Sequence, residues 1–224
     1  YFEDIGAEAC YQNHTSSFML RATTVCRTFI RTLDDLARQK GASFWLEKTP
    51  RHLHHISDIE ALVPKTHVIH LLRRGEDTIA SLYHAMNKYV EKWGGPVSID
   101  ECCRRWKHDI ECSLRYAGKR GHTLVTYEQV VERTESTLRQ IADDAGCTYD
   151  PSMTEDYAEA SDEVIQSDEE WKEETSREIE QRRSAKFRQL FDVEEQRKIT
   201  ERVESLNEAI RNQGSISQEK KDIT

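Results

Sequence analysis

The sequence predicts an α/β fold, in which a parallel sheet is flanked by helices and a helical extension follows at the C-terminus. Short apolar runs typical of strands alternate with longer segments of helical period. The connections between the predicted strands are long enough to be helices, as parallel strands require. Beyond Asp150-Pro151 the periodicity is helical alone, which indicates helices added to the α/β core.

The front of the chain is predicted to hold a helix, a short strand and a second helix. Their expected bounds are Ser17–Lys40, Ser43–Leu46 and about His52–Leu62. Gly41 suits the end of the first helix, because glycine readily takes the left-handed conformation found there. Pro64 stops the second helix, because the residue before a proline disfavours helical backbone.

The strongest strand signal is the apolar run His67–Leu72, which leads directly into Arg73-Arg74-Gly75. The elements expected after it are a helix Glu76–Val90, a helix Ile99–Ala117, a strand Thr123–Thr126, a helix Glu132–Ala145, and helices at about Glu169–Phe191 and Val193–Asn212. We therefore expect a core over residues 1–165, helices packing on it over 166–214, and a frayed tail over 215–224.

Composition excludes several classes of function. The 224 residues are 33% charged and 37% hydrophobic, with a net charge of −9, which is typical of a soluble globular protein and disfavours nucleic-acid binding. No apolar stretch approaches the ~20 residues of a membrane span. The start of the chain has no signal-peptide pattern. We expect a cytoplasmic protein, or one of the Golgi lumen should an anchor precede this chain.

Candidate catalytic and binding residues follow the predicted strands. They lie at the carboxyl ends, where α/β sheets bind ligands. Glu47-Lys48-Thr49-Pro50 comes after the first strand. Lys48 offers a compact cation to a sulfate or phosphate oxygen, and Glu47 offers a carboxylate base. Taken alone, this tetrapeptide is interpreted equally well as a polar turn.

The second strand is followed by Arg73, with Ser81 eight positions further on. An arginine fork and a hydroxyl can converge here on an anion, which the start of the following helix also favours. This combination suits a phosphate monoester. Tyr127 follows the next strand and could border an adenine ring, although a core tyrosine is the more frequent role.

These segments together resemble the sulfotransferases that use 3′-phosphoadenosine 5′-phosphosulfate (PAPS). Residues 44–52 are similar to the stretch W-x-E-K-T-P-x-H, residues 70–81 to I-H-L-x-R-D-P-x-D-x-x-x-S, and residues 124–146 to V-x-Y-E-D-L and its following helix. Order and spacing agree over about residues 17–150. The resemblance is closer to the bacterial and carbohydrate-directed branches than to the cytosolic branch that acts on phenols and steroids.

The resemblance implies a nucleotide fold of the P-loop type and transfer of a sulfuryl group from PAPS to an acceptor hydroxyl or amine, without a metal. It assigns the 3′-phosphate to Arg73 and Ser81, and the edge of the adenine to Tyr127. It assigns the sulfuryl group or the leaving phosphate oxygen to Lys48. The expected acceptor is a small molecule or a carbohydrate.

Two departures from the family pattern bear on the site. Pro50 stands where the cytosolic branch has its catalytic histidine. The expected base is therefore a carboxylate, either the candidate Glu47 or one in a segment that precedes this chain, or a nearby residue such as His52. Arg74-Gly75 stands where the family has Asp-Pro, which adds a second cation beside Arg73.

The family's glycine-rich loop for the 5′-phosphosulfate has no counterpart before Ser17. We expect this chain to be a fragment that lacks the loop. Two alternatives stay open: a non-catalytic sulfotransferase-like binding module, and a small-molecule kinase on a related fold.

Overall fold

A computed structural model of the protein describes residues 22–93, 95–155 and 185–219. It divides the chain into two compact units, Tyr1–Thr66 and His67–Thr224. Several predictions lie outside the described residues: the first turn of the Ser17–Lys40 helix, most of the Glu169–Phe191 helix, and the last five residues of the tail.

The described part of the first unit consists of a long helix followed by two short ones. Their bounds are α1 Ala22–Gln39, a 3₁₀ helix Pro50–His55 and α2 Ile56–Leu62. Gly41 has a φ of 69°, as the prediction for the end of α1 requires. The local core is Leu33 with Phe29, Leu36 and Trp45 packed against it. The Trp45 indole also donates to Asp34 Oδ1 over 2.9 Å.

The predicted strand Ser43–Leu46 is wrong. These residues belong to no strand or helix. The indole of Trp45 packs against α1, while Phe44 and Leu46 are 57% and 75% exposed. The reason is that a strand needs a hydrogen-bonded neighbour, and the described sheet contains only the two strands of the second unit. Lys48 accordingly follows an irregular, exposed segment and not a buried strand.

The second unit holds a two-stranded parallel sheet and the remaining described helices. In chain order they are β1 Val68–Leu72, α3 Gly75–Lys88, α4 Val90–Trp93, α5 Ile99–Leu114, β2 His122–Thr126, α6 Tyr127–Glu132, α7 Thr134–Ala145, α8 Ser152–Glu155, α9 Ala185–Leu190 and α10 Val193–Glu219.

The two strands run parallel, in a register that pairs Val68 with His122 at one end and Leu72 with Thr126 at the other. The connection between them contains α3, α4 and α5. This arrangement confirms the predicted α/β class, with a small parallel sheet in a helix-rich protein. It also places the carboxyl ends of both strands at one edge.

The core of this unit lies around α3, which α5, α9 and α10 all contact. Its fully buried side chains include Leu72 from β1, Ile79 from α3, and Ile199 and Val203 from α10. Their burial explains why the apolar residues of α3 and α10 recur at helical spacing. None of the described helices has the length and apolar character needed to cross a membrane.

Three aromatic rings form a cluster away from the carboxyl ends of the strands. His70 Nε2 lies 3.0 Å from His122 Nδ1, and the ring of Tyr116 stacks on both imidazoles, at 5.5 Å and 4.5 Å between centroids. Burial, aided by His122, lowers the pKa of His70 to about 4. His70 is therefore a neutral member of the core near neutral pH.

Candidate functional site

The carboxyl edge of the sheet brings Arg73 and Tyr127 into contact. Each follows directly on the last residue of its strand, and those last residues are paired in the register. The Arg73 guanidinium carbon lies 4.4 Å from the centre of the Tyr127 ring, a cation–π geometry. Both residues are half-buried. Sequence spacing alone could not show this contact, which depends on the parallel register.

Ser81 lies in the second turn of α3 and is half-buried. In the described part of the chain it forms no hydrogen bond to Arg73. Of the three residues assigned to the nucleotide, Arg73 and Tyr127 are in contact. That Ser81 binds the same ligand stays a prediction.

The Arg73 side chain carries an unsatisfied donor. Among the described residues, Nε of Arg73 and Nε of Arg74 are buried side-chain atoms without a hydrogen-bond partner. Leaving a buried donor unpaired costs about 1–3 kcal/mol. Arg74 is 3.7 Å from the Glu76 carboxylate through another nitrogen. An anion at Arg73 would offer acceptor oxygens to a guanidinium that lacks them, so the site suits a phosphate group.

The backbone beside Arg73 is fixed by residues distant in sequence. The Trp106 indole donates to the Arg73 carbonyl over 3.1 Å, and Trp106 is buried in the core. The amide nitrogen of Gly75 donates to Asn207 Oδ1 over 2.9 Å. Asn207 is a functional candidate that the sequence analysis missed. Its position four residues after Val203 on the buried side of α10 was the available signal.

Gly75 is required by the close approach of α10. A Cβ at this position would lie 2.7 Å from both Cβ and Cγ1 of Val203 and 3.1 Å from the Trp106 ring. The family pattern has proline here, and this chain has the smallest residue because the last helix packs directly on the start of α3. The turn after β1 is therefore locked between α5 and α10.

The first unit builds a separate cluster around Glu47. One carboxylate oxygen accepts a hydrogen bond from the Thr49 hydroxyl over 2.5 Å, and the other lies 2.7 Å from His52 Nδ1. The Glu47 side chain is 13% exposed and that of His52 45% exposed. A carboxylate bound to Nδ1 directs the other ring nitrogen, Nε2, outward as an acceptor. Lys48, next to Glu47, is exposed.

A parallel sheet with an arginine, an aromatic ring and a helix start at its carboxyl edge is an arrangement that can bind an anion. The sulfotransferase family model matches residues 5–151, about two thirds of the chain. The protein belongs to the sulfotransferase family. No curated protein and no solved structure gives a significant match.

Proposed function

We propose that this protein is a PAPS-dependent sulfotransferase that acts on a hydroxyl or amine of a small molecule or carbohydrate. The observation that carries the proposal is the Arg73 guanidinium at the carboxyl edge of the sheet, with a buried Nε that has no hydrogen-bond partner among the described residues. PAPS, when bound, supplies the sulfuryl group. Membership of the sulfotransferase family supports this choice over other phosphate-handling chemistry.

Nucleotide binding falls to the second unit in this proposal. Arg73 holds the 3′-phosphate through charge-assisted hydrogen bonds, helped by the Ser81 hydroxyl from α3. Tyr127 borders the adenine and, through its contact with Arg73, limits the orientations of the guanidinium. Together these residues anchor the nucleotide.

In this proposal, residues 47–52 accept the proton of the acceptor group and stabilise the negative charge that develops during sulfuryl transfer. Lys48 steadies negative charge on the sulfuryl or leaving oxygen. Both oxygens of Glu47 already have partners, Thr49 and His52, so Glu47 is better suited to orient His52 than to take a proton itself. His52 Nε2 then accepts the proton of the acceptor group, and the Glu47 carboxylate stabilises the resulting imidazolium.

Calorimetric titration of the full-length protein with adenosine 3′,5′-bisphosphate, the product nucleotide, tests the binding half of the proposal. We expect Arg73→Ala to weaken binding at least about 100-fold, because two charge-assisted hydrogen bonds contribute about 3 kcal/mol or more. Lys107→Ala, which removes an exposed cation of α5, is the matched control and should change the dissociation constant less than threefold. Absence of binding to the unsubstituted protein would instead favour a non-catalytic module.

Release of radiolabelled sulfate or sulfated product from labelled PAPS tests the catalytic half. We expect His52→Gln and Lys48→Ala each to lower turnover about 100-fold or more, the usual contribution of a general base or a preorganised cation. Glu47→Gln should lower turnover less, because it disturbs only the orientation of the imidazole. Affinity for adenosine 3′,5′-bisphosphate should stay within threefold in the His52 and Glu47 variants. A larger loss of turnover in Glu47→Gln than in His52→Gln would return the role of base to Glu47.

A further inference from the structure

We propose that Asn207, in the last described helix, is a positioning residue that sets the selectivity of the Arg73 site for a 3′-phosphorylated nucleotide. The inference rests on the proposed function, because it takes Arg73 as the ligand of that phosphate. It adds to that function a role for α10, which lies beyond the residues matched by the family.

Asn207 makes two hydrogen bonds of opposite direction at the start of α3. Its Oδ1 accepts from the Gly75 amide over 2.9 Å, and its Nδ2 donates to Glu76 Oε2 over 2.8 Å. Asn207 is 4% exposed and Glu76 7% exposed, so neither bond can be replaced by solvent without rearrangement. A side-chain amide offers an acceptor and a donor on adjacent atoms, which suits an asparagine on the buried face of this helix to both bonds.

These bonds act on the turn that carries Arg73. Trp106 holds the Arg73 carbonyl, Asn207 holds the Gly75 amide, and Val203 leaves no room for a side chain at Gly75. The path of the backbone through this turn decides where the guanidinium points. Since α10 supplies two of these three contacts, a shift of α10 would move the turn and change the orientation of the Arg73 side chain.

Asn207 also controls a negative charge near the site. The Glu76 carboxylate accepts from Asn207 through one oxygen and lies 3.7 Å from Arg74 through the other. The amide therefore helps to keep a buried carboxylate on Arg74. Without that donor, one buried oxygen of Glu76 lacks a partner, and Nε of Arg73 and Nε of Arg74 are buried donors that lack one among the described residues. A carboxylate that turned to Arg73 would compete with phosphate.

The test compares two nucleotides that differ only in the 3′-phosphate. Dissociation constants of the full-length protein for adenosine 3′,5′-bisphosphate and for adenosine 5′-monophosphate are measured by calorimetry, together with the melting temperature of every variant. Asn207→Asp keeps the acceptor for Gly75 and, when both acids are ionised, replaces the donor to Glu76 by a carboxylate oxygen. The titrations are made at about pH 8, which disfavours a proton shared between the two carboxylates. We expect the bisphosphate to bind about tenfold more weakly, the scale of one buried hydrogen bond to a charged group, and the monophosphate to change less than twofold.

Two further variants distinguish positioning from general damage. The double variant Asn207→Asp/Glu76→Gln reverses the direction of the side-chain bond and should restore bisphosphate affinity to within threefold. Asn212→Asp, at an exposed position of the same helix, adds the same charge and should leave both affinities unchanged. If Asn207→Asp melts below the temperature of the titration, Asn207→Ser takes its place: the shorter side chain cannot make both bonds, and the bisphosphate should again lose more affinity than the monophosphate.

The outcomes separate this inference from the function on which it rests. Equal losses for the two nucleotides in Asn207→Asp, failure of the double variant to restore binding, or an equal effect of Asn212→Asp would overturn the role of Asn207. An unsubstituted protein that binds both nucleotides equally would overturn the 3′-phosphate site itself.

Discussion

The turn that follows β1 and the segment around Glu47 carry charged residues of similar kinds but are built in opposite ways. Arg73, Gly75 and Glu76 are held by Trp106 and Asn207, from helices 33 and about 130 positions away in the sequence. Glu47 is bound by Thr49 and His52, two and five positions away. The first arrangement depends on the whole packing of its unit, and the second on a few neighbouring residues.

This difference teaches which functional property each region can sustain. Anion selectivity needs a cation fixed in place, because a mobile guanidinium loses entropy on binding and accepts many ligands. Contacts from several buried elements provide that fixity. A proton acceptor needs mainly the right tautomer and access to solvent or substrate, which a local carboxylate–imidazole pair provides.

The largest effect on the free energy of unfolding is expected from substitution of Trp106, which supports the turn after β1. Trp106 is 3% exposed and lies in the main core, so Trp106→Ala should lower the free energy of unfolding by about 3–5 kcal/mol. Trp106→Phe keeps most of the packing, loses the bond to the Arg73 carbonyl, and should cost about 1 kcal/mol. Urea unfolding measures both. Equal losses of stability in the two variants would contradict the contribution of about 1 kcal/mol expected for the indole hydrogen bond.

A smaller difference in the free energy of unfolding is expected between substitutions of Gly75 and Thr49. A methyl group at Gly75 meets Val203 at 2.7 Å, so Gly75→Ala should destabilise the protein by about 1–3 kcal/mol through overpacking. Thr49→Ala removes one hydrogen bond of an exposed residue and should cost less than about 1 kcal/mol. The double variant Gly75→Ala/Val203→Ala should recover part of the loss. No cost for Gly75→Ala would mean that α10 does not pack so tightly on the turn.

The pH dependence of stability tests the part that buried histidines play in the core of the second unit. Burial lowers the pKa of His70 to about 4 from a reference value of 6.5, so between these pH values the unfolded chain binds a proton at this position and the folded protein does not. Stability is therefore fully present above pH 6.5 and falls as the pH drops toward 4. Burial also lowers the pKa of His67, which acts in the same direction.

Urea unfolding at several pH values measures this effect. We expect the slope of stability against pH between 6.5 and 4 to decrease in His70→Asn, because the variant has no imidazole to titrate. An unchanged slope would show that His70 is not responsible for the loss of stability in acid.

Much of the fold could be predicted because the patterns are local. The apolar run of β1, the periodicity of α3 and α5, and the glycine after α7, Gly146 with a φ of 73°, all specify their elements through neighbouring residues. The short helix α6 was missed, although Thr126 and Gln129 form a capping box at its start. The strand over residues 43–46 was wrong, because the apolar residues of a strand and of an irregular segment packed on a helix can have the same order.

The site could be predicted only in part, for a related reason. Arg73 and Tyr127 follow strands, and parallel pairing then brings them together, so the sequence indicated both. Asn207 makes its contacts across about 130 residues. Its spacing of four from Val203 indicates the buried side of α10, but no local pattern identifies the residues that it contacts. The partners of Glu47 were close in sequence, yet the choice between Glu47 and His52 as base depended on which atoms face each other.

The most direct test of the central claim is an NMR measurement of the Arg73 guanidinium itself. The Nε–H signal of Arg73 is assigned by its absence in Arg73→Lys and followed while adenosine 3′,5′-bisphosphate and then adenosine 5′-monophosphate are added to the full-length protein. We predict that only the bisphosphate shifts this signal strongly and protects it from exchange with water. A signal that responds equally to both nucleotides, or to neither while other arginine signals shift, would contradict the assignment of the 3′-phosphate to Arg73.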